Sequence, residues 1–519
     1  MSFALALATA ALSGYVALSW EILWFRVYGF VTGGSAPSFG VVLAFYLLGL
    51  AVGSLAVSVY CTERTGRTDS AQLRVPALLI LFANALGFLL VPFIAWTVQR
   101  GPFVWTLPAV AIVAGLLGTV LPLVSHFGIR PTDRVGQRLS YIYLANIVGS
   151  ASGSLLTGFV LLDRLSLAHA SLMIALVGVG SAGLLLLAAR LNVRSAVRWS
   201  LAIAGVGVTL VGAAPALFDQ LYEKLLFKTR YAPNAHLAQV AENRSGVITV
   251  AENGTVFGGG VYDGGFNTDL VTHDRNLIIR AYALAALHSA PREVLMIGLG
   301  TGSWAQVVAN NPRVERLTVV EINPGYVNLI RDHAEVSSLL ANPKVDIVID
   351  DGRRWLMAHP ERHFDAVVFN MTYHWRAHAT ELLSVEFLQL VRTHLKAGGL
   401  FYYNTTGSPQ VQKTACATFP NGFRIVNFMA VSDAPLQIDR ERWQAALTEY
   451  AIDGMPVFDL TRAADAERMQ QVLQLEDPDR SDDSWFESCA DILARTQALP
   501  LVTDDNMVVE YTREWWQVP

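Results

Sequence analysis

The residues with chemistry to offer begin in VLMIGLGTGSWAQVV, positions 294–308. An apolar run passes straight into Gly298, Gly300 and Gly302 and then into a helical pattern. Backbone bare of side chains therefore meets a helix N-terminus, which favours polar or anionic groups. A second apolar run, LTVVEI, ends in Glu321 about 20 residues further on, where a carboxylate can accept both hydroxyls of a ribose. A third, VDIVI, ends in Asp350, Asp351 and Gly352, where an acid can accept from an adenine amino group; a fourth, FDAVVF, ends at Asn370. Polar groups at the carboxyl ends of successive parallel strands surround one crevice. The bland reading of the same residues is that Glu321 and Asp351 cap the helices that follow. GLGTGS lacks the third glycine of the dinucleotide fingerprint, which favours a mononucleoside ligand over NAD.

The elements that must hold these residues follow from periodicity. Strand and helix patterns alternate to about position 405, as in a doubly wound parallel sheet of Rossmann, methyltransferase-like type. Before them, AQVAENRSGVITVAENGTVFGGGVYDGG alternates between Gly and Asn turns as a small antiparallel sheet does, and a helix is expected at about 270–288. Further upstream, apolar runs long enough to cross roughly 30 Å of hydrocarbon recur at 3–24, 38–60, 74–97, 103–127, 139–162, 165–189 and 196–215. The expected organisation is a transmembrane bundle of about seven helices over 1–215, an amphipathic linker over 216–235 lying at the membrane surface, a β-rich part over 236–290, and a nucleotide-binding domain with a C-terminal extension over 291–519. The acidic stretch EDPDRSDD at 476–483 reads as exposed.

Composition agrees. Mean hydropathy is +0.38 with 16% charged residues in a chain of 519, too apolar for a soluble protein of that size. Residues 1–213 hold 12 Arg, no Lys and 5 acids, a balance of +7, which leaves −12 for the remainder of a chain whose total is −5. That remainder has no cationic field to attract nucleic acid. Gly49 with Gly53, and Gly149 with Gly153, have the spacing that lets helices approach closely in lipid, here inside one bundle. Glu21 and Arg26, beside Trp20 and Trp24, read as an interfacial anchor or part of a polar pathway, and Asn84 and Asn146 as satisfied against neighbouring helices. Cys61, Cys416 and Cys489 show neither CxxC spacing nor an even framework, so neither a disulfide nor a zinc site is expected, and no metal. The first run lacks both a basic start and a small-residue cleavage site, which argues against a removable signal peptide. Segments 61–74, 128–138 and 190–198 carry three Arg each and the alternate loops about one, which assigns the former to the cytoplasm. Seven spans would then put the C-terminal domain outside, whereas adenosyl sulfonium cofactors are made inside; the expectation adopted is a multi-pass protein of a bacterial inner membrane with a cytoplasmic domain.

Residues 237–405 resemble the spermidine synthases, aminopropyltransferases that use decarboxylated S-adenosylmethionine. VYDGGFN, ending in Asn267, is similar to their LDG-x-x-Q segment, and TDLVTHDRNL to their DE-x-x-YHE segment with Asp274 in place of the final acid. GLGTGS is similar to GGGDGG, VEIN to VEID, Asp351–Gly352 to the pair that holds adenine, and LLSVEFLQLVRTHLKAGGL to L-x-S-x-EF…LK-x-GG. The whole chain resembles a bacterial subgroup in which such a domain is fused to a membrane bundle, on LSGYVALSWEILWFRVYGF, LAFYLLGLAVGS, YIYLANIVGSASGSLLTGFVLL and LVTDDNMVVEY. The resemblance implies a decarboxylated S-adenosylmethionine or S-adenosylmethionine co-substrate held by Asn267, Asp274, Gly298, Gly300, Gly302, Glu321, Asp350, Asp351 and Gly352, and by analogy a homodimer.

One departure bears on activity. Where spermidine synthases end the fourth strand in D-S-S-D, whose carboxylates position and deprotonate the amine, this chain has Asn370, Met371, Thr372 and Tyr373. An amide accepts no proton at neutral pH. His374 is the candidate base, near its ordinary pKa of about 6.5, and Tyr373 and Trp375 are candidate π faces for a cationic sulfur; alternatively these residues pack as a loop. With Arg376 and His378 they make an entrance suited to an anionic or apolar, membrane-associated acceptor, unless Glu381, Asp504 or Asp505 folds over and restores the missing carboxylate. Three functions follow: transfer of an aminopropyl or other alkyl group to a small or lipid-associated acceptor, S-adenosylmethionine-dependent methyl transfer, or a non-catalytic adenosyl-binding transporter or sensor.

Overall fold

A computed structural model describes residues 1–63, 73–130, 134–189, 193–371, 373–474 and 486–512. Thr372, the 476–483 stretch, and Arg64, Arg67 and Arg190 of the arginine-rich loops lie outside the described residues. The chain divides into two compact units, one from Met1 to Val247 and the other from Ile248 onward, so the division falls downstream of the 216–235 linker expected from composition.

Among the described residues of the first unit seven helices are long and apolar enough to cross a membrane: Phe3–Thr32, Ala36–Val59, Arg74–Val98, Phe103–Gly128, Val135–Arg164, Leu167–Ala188 and Val193–Leu217. Each matches an expected run; the first continues eight residues past its expected end because Gly33, at φ 68°, is what stops it. The paired glycines lie where backbones touch. A Cβ on Gly149 would stand 1.9 Å from the Ala11 carbonyl oxygen, and one on Gly53 1.9 Å from that of Gly115, so their role is packing inside the bundle. Trp20 and Trp24 are fully buried rather than interfacial, with Trp20 Nε1 donating to Asn84 Oδ1 at 3.1 Å. Asn146 Nδ2 donates to the Ala10 carbonyl at 3.1 Å, as expected for an amide within a span. Arg26 turns away from Glu21 and donates to the carbonyls of Asn243 and Gly246 at 2.6 and 2.8 Å. The linker also differs from expectation. It forms a short helix, Leu221–Phe227, whose Leu221, Tyr222 and Leu225 join the buried core of the bundle; its apolar face is covered by protein, not by a membrane surface.

Strands β1 (Leu237–Asn243), β2 (Gly246–Ala251), β3 (Thr255–Gly258) and β4 (Val261–Gly265) follow in a sheet of order β1-β2-β3-β4, antiparallel at β2–β3 and β3–β4. The helix expected at 270–288 is broken into Ile279–Tyr282 and Leu284–Leu287, with Asn276 and Leu277 just before it at positive φ. The larger sheet takes β5 (Glu293–Ile297), β6 (Arg316–Glu321), β7 (Val345–Ile349), β8 (Phe364–Phe369), β9 (Leu395–Asn404), β10 (Asn421–Ile425), β11 (Phe428–Ser432) and, after a two-stranded ribbon of β12 (Ala451–Ile452) with β13 (Met455–Pro456), β14 (Phe486–Ser488), in the order β14-β10-β11-β9-β8-β5-β6-β7. The run from β9 to β7 is parallel, as the alternating patterns require. Chain order reverses between β5 and β8, and Gly298 and Asn370 leave the sheet side by side there because Ile297 pairs with Phe369.

The cysteines overturn their expectation. Cys416, on the helix Pro409–Thr418, and Cys489, at the start of the helix Cys489–Arg495, form a disulfide across 73 residues of chain with their Cα atoms 5.3 Å apart. Spacing in sequence gives no hint of it, because the packing of two helices brings the pair together. Cys61 is free.

The glycine contacts predict the cost of filling them. Gly149→Val forces two backbones apart and is expected to destabilise the bundle by about 1–3 kcal/mol, whereas Gly180→Val, with open space around its Cβ position, is expected to be neutral. Thermal midpoints of both variants in one detergent check this; equal midpoints would refute the close packing.

Candidate functional site

A cavity of about 340 Å³ opens at the β5–β8 reversal, lined from the glycine loop by Gly298 and Gly300, from beyond β8 by Asn370 and Tyr373, and from the end of β9 and just past it by Asn404 and Thr406. Its size falls within the range of small-molecule sites, and its position is the one at which open parallel sheets bind ligands. Tyr262 and Asp263 of β4, Asn276, Arg280, Trp304 and Asn427 complete the wall. None of these six was singled out in the sequence. Asp263 alone carried a visible signal, since it is the acid of the DG pair in the segment quoted up to Asn267.

Strand register assembles the polar wall. Phe369 pairs with Tyr403 across β8–β9, and Asn404 with Phe428 across β9–β11, so Asn370, Asn404 and Asn427 emerge at neighbouring strand ends. They hydrogen-bond in series. Arg280 donates through Nη1 to Asn427 Oδ1 at 2.5 Å, Asn427 Nδ2 donates to Asn404 Oδ1 at 2.8 Å, and Asn404 Nδ2 donates to Asn370 Oδ1 at 3.1 Å. A guanidinium only donates, so it fixes the direction of every amide after it. The series ends with the carbonyl oxygen of Asn370 accepting one donor, which leaves its amide N–H groups and one lone pair of that oxygen to offer.

The expected cofactor residues divide. The glycine loop takes the left-handed backbone that only glycine adopts freely, with φ of 87° at Gly298, 51° at Gly300 and 78° at Gly302; Gly302 packs on Ile330 behind the cavity. Glu321 is buried. Its Oε2 accepts the Leu299 and Gly300 N–H at 2.6 and 3.4 Å and its Oε1 the Asn323 N–H at 2.7 Å, so in this conformation it braces the glycine loop. Burial pushes its pKa up, and these backbone donors oppose the shift. Asp351 caps the helix Gly352–Ala358 by accepting from the Arg354 N–H at 2.7 Å, and Asp350 accepts from the Arg354 guanidinium. Asn267 anchors its own loop through the His273 carbonyl at 2.8 Å, and Asp274 accepts from the Ile279 N–H at 3.2 Å, with its pKa pushed up by burial. Among the expected residues, the cavity wall is thus made by Gly298, Gly300, Asn370 and Tyr373.

The loop after β8 departs from expectation at His374. Its Nδ1 lies 2.6 Å from Thr406 Oγ1, one side chain behind the cavity wall, and burial lowers its pKa to about 4. It is a weak base rather than one poised near neutrality. Tyr373 stacks on Trp375 with ring centroids 5.2 Å apart and presents an aromatic face to the cavity. The acids considered as replacements are engaged elsewhere: Asp504 pairs with Arg353 at 2.6 Å and accepts from Ser384, and Glu381 pairs with His378 at 2.9 Å. Asp505 does not line the cavity. The carboxylate that does is Asp263, which accepts the Tyr326 hydroxyl. Among the described residues no cluster of His, Cys, Asp and Glu is arranged to hold a metal.

A model of the spermine/spermidine synthase domain matches residues 281–431. A polyamine aminopropyltransferase of Mycobacterium tuberculosis (strain CDC 1551 / Oshkosh) is 24% identical over 431 residues, 79% of each chain. Polyamine aminopropyltransferase 2 of Streptomyces coelicolor is 27% identical over 404 residues, 74% of this chain and 70% of its own. Both matches are longer than the second unit and so take in part of the apolar helices. Among solved structures, a spermidine synthase in complex with the transition state analogue AdoDATO covers 39% of this chain and 73% of its own at 17% identity and a TM-score of 0.31. The spermidine synthase from Thermotoga maritima covers 46% and 88% at 14% and 0.31.

The buried imidazole predicts a pH dependence. With a folded pKa of about 4 against an ordinary 6.5, the unfolded chain binds the proton first as pH falls. Stability from this group is therefore complete above about pH 6.5 and is lost towards pH 4, by up to roughly 3 kcal/mol. His374→Asn is expected to flatten the dependence of the domain's unfolding midpoint on pH over that window; an unchanged slope would show that His374 is not held neutral.

Proposed function

Because the chain carries a spermine/spermidine synthase domain behind seven membrane-length helices, we propose that it is a membrane-integral transferase. On this reading it moves an aminopropyl or related alkyl group from an adenosyl sulfonium donor to an acceptor other than putrescine. The observation that carries this reading is the cavity itself, with a glycine loop on one side and an amide, Asn370, at the position where the resembling enzymes have their amine-binding acids. In such a transfer a lone pair of the acceptor attacks the carbon next to sulfur, the carbon–sulfur bond breaks, and its electron pair returns to sulfur as a neutral thioether. The acceptor's proton passes to solvent. A leaving group that departs neutral needs little activation, so positioning supplies most of the rate. Tyr373 offers a π face to the cationic sulfur, Gly298 and Gly300 let the ligand approach the backbone, and Glu321 keeps that loop in shape.

Putrescine is a dication at neutral pH, and its use requires carboxylates to hold one ammonium and deprotonate the other nitrogen. Asp263 is one carboxylate, and Asn370 replaces the other with a donor. An acceptor that is neutral or acidic, and apolar enough to reside at the membrane, suits this wall better. With decarboxylated S-adenosylmethionine and putrescine the protein is expected to make little or no spermidine, and Asn370→Asp to raise the yield at least tenfold. Robust spermidine synthesis by the unaltered protein would overturn the reading. With membrane lipid as acceptor, methylthioadenosine is the expected product; S-adenosylhomocysteine would mean methyl transfer instead.

One observation favours a second reading. Disulfides belong to oxidising compartments, and Cys416–Cys489 lies in the same half of the chain that the loop arginines and an odd number of spans assign to the outside. Cys61, free, lies just past the second span, Ala36–Val59, at the start of an arginine-rich segment. A domain on the extracytoplasmic face is remote from the cytoplasmic supply of sulfonium donors and would act as an adenosyl-ligand receptor or transport module. Reporter fusions at residue 235 separate the two. The transferase reading expects a fluorescent cytoplasmic reporter to be active there, and active alkaline phosphatase at that position would favour the receptor.

A further inference from the structure

Among the described residues Arg280 is the one strongly basic group in the cavity wall, and it is 5% exposed. Among the described residues no carboxylate lies within ion-pair distance of it. Its guanidinium is held by oxygens that carry no charge: Nε donates to the Leu277 carbonyl at 3.0 Å, Nη2 to the Asn276 carbonyl at 2.5 Å and Nη1 to Asn427. Those bonds use three of its five N–H groups. The rings of Trp304 and Phe428 lie 5.8 and 5.0 Å from its central carbon, giving it partial cation–π compensation. Asp274 acts on it through space without touching it; a buried cation with no anion in contact is costly to the protein that keeps it, and this one is kept at the wall of a cavity open to a ligand.

The neighbouring groups have the same polarity. Asn370, at the end of the chain that starts on Arg280, has its two amide N–H atoms unused beside one remaining lone pair of its carbonyl oxygen. Trp304 lines the same cavity with an indole N–H that is buried and has no acceptor. The wall therefore holds unused donors at Arg280 and Asn370, and the acid Asp263 lines the same cavity. A ligand that carries both an ammonium and a carboxylate matches such a wall; decarboxylated donors have only the first.

We propose that Arg280 is a carboxylate-binding residue of this cavity, so that the ligand carries a carboxylate in addition to its adenosyl part. The proposal rests on the reading of the cavity as an adenosyl site. It assigns the carboxylate to the donor, an intact S-adenosylmethionine, and an acceptor carboxylate is the other source of the same chemistry. With the intact donor, attack on the propyl carbon next to sulfur transfers a 3-amino-3-carboxypropyl group and releases methylthioadenosine, whereas attack on the methyl carbon releases S-adenosylhomocysteine. Arg280 fits either, since it holds the group that distinguishes the donor and takes no part in bond breaking.

Calorimetry on the full-length protein in mild detergent tests this. S-adenosylmethionine is expected to bind at least tenfold more tightly than its decarboxylated form. Arg280→Gln is expected to bring the two within about twofold, Arg280→Lys to leave an intermediate ratio, and methylthioadenosine, which lacks the aminocarboxypropyl chain, to bind all three proteins alike. If the wild-type ratio is near one, glutamate titrated into protein saturated with methylthioadenosine reads the acceptor arm, and binding that Arg280→Gln abolishes would place the carboxylate there. A wild-type ratio near one together with no Arg280-dependent glutamate binding overturns the proposal. These wild-type measurements stand even where Arg280→Gln fails to fold, with Arg280→Lys as the variant arm. Failure of methylthioadenosine to bind would refute the adenosyl reading separately, because glutamate binding to the unliganded protein would still report on Arg280.

Discussion

The site depends on a single buried guanidinium. Arg280 can only donate, so Asn427 must turn its carbonyl oxygen to it, Asn404 must turn its oxygen to Asn427, and Asn370 receives the last donor. Hydrogen bonds aligned in one direction polarise each other in a low-dielectric interior. The position that ends β8 is thus held as a donor to the cavity by residues on three other segments. An acid there would accept that last donor readily, but it would change the polarity of the wall facing the ligand. The amide at 370 is consistent with its surroundings rather than an isolated loss.

The same constraint gives a role to the strained turn before the first short helix of the domain. Asn276 and Leu277 sit at φ of 57° and 49°, values costly for residues with a Cβ, and their carbonyl oxygens are the ones that Arg280 binds. Strain in the backbone and burial of the cation support each other. Behind the glycine loop Glu321 does similar work. By accepting the N–H groups of Leu299 and Gly300 it holds the glycine loop open to the cavity, which makes it a brace for the loop whatever it does for a ribose.

In the membrane-length unit the controlling constraint is closeness of approach. Gly149 and Gly153 meet the backbone at Ala11 and Tyr15, and Gly49 and Gly53 meet it at Ala111 and Gly115. The two amides deep in the spans are paired internally, Asn84 with Trp20 and Asn146 with the Ala10 carbonyl, so they read as packing specificity rather than as a pathway, whereas Trp24 Nε1 and Ser171 Oγ are buried without a partner.

Much of this was legible without coordinates, for a definite reason. Apolar runs of membrane length, the alternation of strand and helix patterns, and a glycine loop after a strand are local signals, and each appeared where its period placed it. Asn370 was legible as a departure because it ends a strand whose neighbours were already assigned. The partners that decide the chemistry were not local. Arg280, Asn427 and Asn404 are separated by up to 147 residues and meet only through the register of β8, β9 and β11. The Cys416–Cys489 pair depends on the packing of two helices, the weak basicity of His374 on its burial beside Thr406, and the duties of Glu321 and Asp351 on which backbone N–H groups lie in reach. Sequence determines which groups are available at each strand end. Only tertiary structure decides which are already occupied and which still face the ligand, because hydrogen-bond capacity is shared among residues that no spacing relates.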